Sequence, residues 1–200
     1  MIPKTYIPNY SEFYERRYFE PAGKEPDLTD FYGEKVLFGT DVLFQCRNVP
    51  ELTVAAEICE DVWAPNPPSI RHALAGASVI VNCSASDETT GKDRYRKNLI
   101  CGQSARLLSG YIYANAGEGE STQDLVFGGQ NLIAEDGTCL AESKRFANEV
   151  IAADMDLQKL QSERRRMNTF SRQETKEHLT VEFAFQNPGD SRGQEPIRRF

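Results

Sequence analysis

The chain has 200 residues, and its 30 acidic side chains outnumber the 23 basic ones, which gives a formal net charge of −7. This charge argues against a general nucleic-acid binder, which needs a basic face, and no apolar run approaches the roughly 20 residues of a membrane helix. The length is sufficient for one domain with a sizeable core.

Short predicted strands and helices alternate along the chain, which indicates an α/β fold with a mixed sheet. Runs rich in β-branched or aromatic residues near Gly, Asp or Asn predict strands, and helical spacing of apolar residues predicts helices. The predicted strands cover residues 36–38, 52–58, 78–82, 111–114, 131–134 and 150–153. The predicted helices cover residues 69–74, 93–108 and 156–166, the last with Asp154 or Asp156 as N-cap, and Asp136-Gly137 predicts a hairpin turn.

The cysteines exclude two common kinds of site. None of the five forms a CxxC pair, so neither a zinc knuckle nor a thioredoxin-type motif is present. Their odd number, together with the lack of a signal peptide, predicts free thiols in the cytoplasm. Cys83 and Cys101 lie in an apolar strand and a helix-like segment, so they are expected to be packing residues.

Cys59 has a different setting. It lies in EICEDVW (residues 57–63), after an apolar run that predicts a buried strand and before the chain-breaking APNPP (residues 64–68). The end of a buried strand is a place where a scaffold can hold a nucleophile rigidly while loops shape the pocket. The other interpretation is a core cysteine, because free cysteine is among the most buried residue types.

A cysteine nucleophile needs a group that holds or takes its proton. The chain has two histidines, His72 and His178. A Cys59–His72 dyad is one interpretation, and an exposed helix histidine is the favoured one. Lys4 is the alternative cation, because lysine changes its pKa readily on burial, although it also fits an ordinary surface position.

The two ends of the chain do not have the pattern of domain ends. Residues 1–6 begin within a pattern, and the composition turns polar after Met167. Residues 186–193 are rich in turn formers, which is typical of a linker. We therefore expect an excerpt of a longer protein, with a domain over residues 1–165 and a linker over residues 166–200.

Several motifs together resemble the nitrilase (carbon–nitrogen hydrolase) superfamily, in the form found in the glutaminase domains of glutamine-dependent NAD synthetases. They are PKTYIPNYSEFYE (residues 3–15), EICEDVW (57–63), NCSAS (82–86), YRK (95–97) and ANAGEGEST (114–122) with Asp124. The resemblance covers about residues 1–165. It implies a nitrilase-like αββα sandwich of four layers, α/β in class, that is incomplete at the N-terminus.

The resemblance also implies a Glu–Lys–Cys triad. Cys59 matches the nucleophile that attacks the glutamine amide, and Lys4 matches the lysine that stabilises the thiolate and the oxyanion. Glu15 matches a second glutamate that helps to position the site. The general-base glutamate of the family lies well upstream of the lysine, and no position before Lys4 supplies it. We therefore expect the chain alone to be deficient in proton transfer.

Substrate contacts carry over in the same way. Tyr10, Ser86 and Lys92 match positions that hold the glutamine headgroup and side chain, and Lys92 stands where an arginine is often found. Glu60 is a candidate for the α-amino group, since a carboxylate suits an ammonium. Without the resemblance, Tyr10 would be a packing aromatic, Ser86 a turn residue and Lys92 a solvated cation.

The implied function is hydrolysis of glutamine through a thioester, with ammonia passed to a synthetase domain or subunit that completes NAD. No metal or organic cofactor is expected for the amide step, and ATP and Mg²⁺ are expected only in the absent synthetase domain. The family implies homo-oligomers, and neither nucleic acid nor a membrane is expected as a partner. Two alternatives remain: another carbon–nitrogen hydrolase acting on a nitrile, carbamoyl or simple amide group, and a catalytically incompetent fragment.

Overall fold

A computed structural model of the chain describes residues 1–23, 25–120, 125–170 and 178–185. Ser121, Thr122 and Asp124 of the last matched motif, and the turn-rich residues 186–193, lie outside the described residues. One mixed sheet dominates the fold. Within the described residues this sheet has seven strands, which are, in spatial order, β8 (Thr138–Glu142), β7 (Leu132–Glu135), β6 (Gly110–Asn115), β5 (Val79–Ser84), β4 (Thr53–Ile58), β3 (Val42–Cys46) and β9 (Leu179–Phe183).

The centre of the sheet is parallel. β4, β5 and β6 run side by side, with Ile58 opposite Cys83 and Cys83 opposite Ala114 at their carboxyl ends. β4 alternates fully buried and half-buried residues, and β5 is mostly buried. Parallel strands covered on both faces have this apolar pattern, and they deliver the residues that follow them to one edge of the sheet.

Antiparallel strands flank this centre. β7 and β8 form the predicted hairpin, in which Asp136 and Gly137 both have positive φ, at 46° and 84°. That pair of angles is the requirement of a type I′ turn, which is why an Asp-Gly pair occurs there. On the other side β3 runs antiparallel to β4, and β9 adds to β3 in parallel.

The helices cover the core of the sheet. α1 (Pro68–Ala75) packs against α2 (Lys92–Leu107), and both contact the central strands. The core that they cover includes Ile80, Ile100 and Leu132. α3 (Leu157–Arg166) begins at Asp156, whose side chain accepts a hydrogen bond from the Lys159 amide as predicted for an N-cap. A separate hairpin joins β1 (Asp27–Phe31) and β2 (Glu34–Phe38).

Three expectations from the sequence are wrong. Residues 150–153 form no strand, and Val150 is 100% exposed. His72 was expected to be exposed on its helix, but its exposure is 0%. It lies on the inner face of α1, the helix that packs against β4 and α2. Cys83 is exposed rather than packed. In the part of the chain that the structure describes, no helix has the length and apolar character needed to cross a membrane.

Candidate active site

Cys59 lies directly after β4, at the first residue of a short 3₁₀ helix, Cys59–Val62, which we call the cysteine turn. Its φ angle is 50°, in the left-handed region that non-glycine residues rarely adopt. Such a conformation costs about 1–3 kcal/mol and persists only where the surroundings impose it. Cys59 is half-buried. Its sulfur therefore remains partly accessible at the edge of the sheet, where β4 ends.

Asn82 on β5 holds this strained backbone from the neighbouring strand. Its Oδ1 accepts a hydrogen bond from the Cys59 amide at 3.0 Å, and its Nδ2 donates to the Cys59 carbonyl at 3.4 Å. Oδ1 also accepts from the Ser84 hydroxyl at 2.7 Å. A buried amide with fixed partners thus binds both backbone groups of the candidate nucleophile.

A buried chain of hydrogen bonds supports Asn82. Its Nδ2 donates to the Tyr111 hydroxyl at 3.3 Å, and Tyr111 donates in turn to the Glu57 carboxyl group. Burial raises the pKa of both Glu57 and Tyr111. Glu57 also accepts from the Ser69 amide at 2.9 Å, at the start of α1. The network ties the cysteine turn to the core of the fold.

Lys4 lies in an irregular stretch, residues 3–15, that we call the lysine segment. Lys4 Nζ forms hydrogen bonds to both carboxylate oxygens of Glu15, at 2.9 Å and 2.7 Å. Lys4, Glu15 and Cys59 line one open cavity of about 460 Å³. The structure therefore brings the three predicted catalytic residues together, although they lie up to 55 positions apart in the sequence.

Asp61 connects the lysine segment to the cysteine turn, and the sequence analysis gave it no role. Its carboxylate accepts hydrogen bonds from the amides of Thr5 at 3.0 Å, Tyr6 at 2.8 Å and Ile58 at 2.9 Å. Burial raises the pKa of Asp61, while these three amides and Lys4 act in the opposite direction. An aspartate in a turn is a familiar capping pattern, but its partners 55 and 56 positions away carry no local signal.

Tyr10 and Glu60 meet at the rim of the site. The Tyr10 hydroxyl donates to the Glu60 carboxylate at 2.7 Å, and burial together with this hydrogen bond raises the pKa of Tyr10. The Tyr10 side chain remains accessible, at 52% exposure. Phe13 packs edge-on against Tyr10, with 5.9 Å between ring centroids. Glu60 thus offers a carboxylate near the thiol, and Tyr10 with Phe13 offers an aromatic surface.

Lys92 reaches the same rim from the first residue of α2. Its Nζ lies 5.9 Å from the Phe13 ring centroid and 5.8 Å from that of Trp63, and it forms an ion pair with Asp87. Cations are attracted to aromatic faces at such distances. The cation therefore stands close to the aromatic surface that also carries Tyr10.

Ser86 is placed differently from the other predicted substrate contacts. It is buried, and its hydroxyl accepts a hydrogen bond from the Arg96 guanidinium at 3.2 Å. Arg96, which is itself fully buried, also pairs with Glu88 at 2.7 Å and donates to the Asp87 carbonyl at 3.0 Å. Arg96 belongs to the matched YRK motif, but the sequence analysis did not assign it this role of supporting the loop that follows β5.

Known proteins resemble this chain over most of its length. The family profile described as Carbon-nitrogen hydrolase matches residues 1–165. Over its full length the chain is 44% identical to the glutamine-dependent NAD(+) synthetase of Mycobacterium bovis and covers 31% of that protein. It is also 44% identical to the synthetase of Mycobacterium leprae, over 91% of the chain and 27% of that protein. The chain thus spans about a third of the length of these relatives.

Solved structures extend the comparison to the fold. A glutamine-dependent NAD(+) synthetase from Cytophaga hutchinsonii superposes with a TM-score of 0.60 and 30% identity, over 72% of this chain and 22% of that one. A carbon–nitrogen hydrolase from Helicobacter pylori G27 gives a TM-score of 0.59 over 82% of this chain and 54% of that one, at 21% identity, which is evidence for the fold alone. The predicted nitrilase-type fold class is confirmed.

Proposed function

Because this chain belongs to the carbon–nitrogen hydrolase family, we propose that it hydrolyses the side-chain amide of glutamine through a thioester on Cys59. The observation that carries the proposal is the convergence of Cys59, Lys4 and Glu15 on one cavity. The 44% identity to glutamine-dependent NAD(+) synthetases supports glutamine as the substrate.

In the proposed reaction, the Cys59 sulfur attacks the carbon of the glutamine amide and forms a tetrahedral intermediate. The Lys4 ammonium stabilises the negative charge that develops on the oxygen, which is the task of an oxyanion stabiliser. Collapse of the intermediate breaks the C–N bond, releases ammonia and leaves a thioester, which water then hydrolyses to glutamate and free thiol. We assign Glu15 to holding the lysine, because both of its oxygens accept from Lys4. The family resemblance implies a further glutamate, N-terminal to the lysine, as general base.

The rim residues suit the charged end of a free amino acid. The Glu60 carboxylate, oriented by Tyr10, is proposed to bind the α-ammonium, and Lys92 the α-carboxylate. Lys92 would exchange part of its contact with Asp87 for the substrate. Ser86 is proposed to act through its position next to Arg96, by shaping the loop that faces the substrate.

We propose that the ammonia serves a synthetase domain or subunit that amidates nicotinic acid adenine dinucleotide to NAD. The names of the relatives support this proposal, since they are glutamine-dependent NAD(+) synthetases. ATP and Mg²⁺ would act in the synthetase part, and the amide step itself needs only protein side chains. A homo-oligomer in the cytoplasm is the assembly we propose, with contacts from the aromatic residues among the first twenty.

A glutaminase assay on the full-length protein tests the proposal. The expected result is ammonia release from glutamine that is abolished by Cys59→Ala. Cys139→Ser, on β8, serves as the matched cysteine control and should leave the rate unchanged. Equal rates for the parent protein and Cys59→Ala would remove Cys59 from the chemistry.

A panel of nitriles, carbamoyl compounds and simple amides separates the alternative activity. Glu60 and Lys92 at the rim predict a strong preference for glutamine over amides that lack the α-ammonium and α-carboxylate. Turnover of a simple amide at a rate equal to glutamine would favour a different carbon–nitrogen hydrolase. No turnover of any substrate by the 200-residue chain alone would favour the incompetent fragment.

A further inference from the structure

The two histidines of this chain meet, although 105 residues separate them in the sequence. Nδ1 of His72 lies 3.1 Å from Nε2 of His178, and the two rings are nearly perpendicular, at 84°. Oδ1 of Asp41 lies 3.8 Å from the same His178 nitrogen. The three ligand atoms all lie within 4.8 Å of one another. We call Asp41, His72 and His178 the histidine cluster.

The fold brings these residues from three separate elements. Asp41 directly precedes β3, and His178 directly precedes β9, where the Leu179 amide donates to the Asp41 carbonyl at 2.9 Å. His72 projects from α1 and is completely buried. A ligand bound by all three would therefore join β9 and β3 to α1. The amide of Ser69, at the start of α1, donates to Glu57.

The spacing suits a small metal ion. Tetrahedral ligands placed 2.0–2.1 Å from zinc lie about 3.3 Å from one another, close to the separation of the two histidine nitrogens. His72 is completely buried, and its Nδ1 faces Nε2 of His178 inside the protein.

The carboxylate also has an outer partner of the kind that metal sites use. Arg71 Nε donates to Asp41 Oδ1 at 2.6 Å, which fixes the orientation of the carboxylate. Hydrogen bonds of this sort commonly orient metal ligands. The arginine also reduces the negative charge of the cluster, so we expect weaker binding than at a site built from thiolates.

We propose that Asp41, His72 and His178 bind a divalent transition-metal ion of the zinc type, which fastens β9 to α1 and β3. Two imidazoles and one carboxylate favour zinc or cobalt over magnesium or calcium, which prefer oxygen ligands. Three protein ligands leave the fourth position to water. The proposed role is structural, and it does not depend on the proposed glutaminase activity.

Cobalt titration of the full-length protein, without an affinity tag and after chelator treatment, tests the proposal. The expected result is saturable binding of one Co²⁺ with visible d–d bands, displaced by Zn²⁺. His178→Ala and Asp41→Asn should each weaken binding by at least about tenfold, since each removes a ligand. A Cys101→Ser, Cys139→Ser double variant is the matched control, because thiolates are the other ligands that cobalt would find, and it should bind as the parent does.

NMR of the histidine rings gives a second measurement that needs no variant. Addition of Zn²⁺ should shift the imidazole signals of His72 and His178 together, and saturation should raise the thermal midpoint. Absence of saturable binding, binding without a shift of either ring, or unchanged affinity in His178→Ala and Asp41→Asn would each overturn the proposal.

Discussion

The cysteine and the lysine reach the same cavity from two regions that are built differently. The cysteine turn follows a strand at the centre of the parallel sheet, and Asn82 on the adjacent strand binds its backbone. The lysine segment is irregular, and Asp61 holds it through the amides of Thr5 and Tyr6. The core thus positions the nucleophile, whereas two carboxylates hold its cationic partner, Asp61 through the backbone of the lysine segment and Glu15 through Lys4 Nζ.

Lys4→Ala is expected to have the largest effect on the lysine side of this comparison. Loss of an oxyanion stabiliser lowers kcat by about a hundredfold or more. Steady-state glutaminase kinetics on the full-length protein measure it. Lys35→Ala is the matched control, because Lys35 forms an exposed ion pair with Asp30 and should leave kcat unchanged. An unchanged rate in Lys4→Ala would remove the lysine from the site.

Asp61→Asn is expected to loosen the contact between the lysine segment and the cysteine turn. Asparagine keeps the size of the side chain but has one acceptor oxygen for three amides, and each lost charge-assisted bond contributes about 1.5–3 kcal/mol. We expect kcat to fall by about ten- to a hundredfold as the lysine loses its position. Asp30→Asn, on the exposed β1–β2 hairpin, is the control. Wild-type kinetics in Asp61→Asn would show that other contacts position the lysine segment.

Asn82→Ala tests the cysteine side. It removes both hydrogen bonds to the Cys59 backbone, and we expect kcat to fall by about tenfold, with little change in KM. Tyr111→Phe is the matched control, since it removes a bond from the same network without contacting Cys59. It should lower stability by about 1–3 kcal/mol, because Glu57 loses the buried hydroxyl that donates to its Oε1, and preserve kcat. If both variants lose only stability, Asn82 does not position the thiol.

Glu57→Gln should give the smallest effect, visible in the pH dependence of stability. Burial raises the pKa of Glu57 above its ordinary value of 4.5, so the folded protein binds this proton more tightly than the unfolded chain. Its contribution is then complete below pH 4.5 and is lost as pH rises through the folded pKa. Urea unfolding across this range should show a shallower decline in Glu57→Gln than in the parent. Equal slopes would mean that Glu57 does not titrate as described.

Much of the sheet could be predicted from the sequence, because its strands carry their own signal. β4, β6 and β7 were predicted to within a residue or two of each end, as were α2 and α3. β9 was missed because its apolar–polar alternation lies within a polar segment, and its pairing with β3 depends on tertiary contact. Residues 150–153 show the opposite error, because they were predicted as a strand and form none. Here too tertiary pairing decides the outcome. Strand propensity describes residues that fit a pleated surface, and none of the strands that the structure describes pairs with this run.

The candidate site was predictable only in part. Cys59 stands out by its place after a buried strand, whereas the assignment of Lys4 and Glu15 to the site followed from the family resemblance, and their mutual pairing was not predicted. Nothing local distinguishes Asp61 or Asn82, since both act through partners brought close by the fold. The burial of His72 was equally hidden, because it depends on which face of α1 turns inward.

Labelling by an electrophilic glutamine analogue, followed by peptide mapping, measures whether Cys59 is the thiol that meets glutamine in the cavity. Cys83 is exposed and lines the same cavity as Cys59, so the protein carries its own comparison. We expect one modification, at Cys59, that glutamine prevents, with Cys83 and the other three cysteines unmodified. Modification of Cys83 in preference to Cys59, or labelling that glutamine does not prevent, would contradict it.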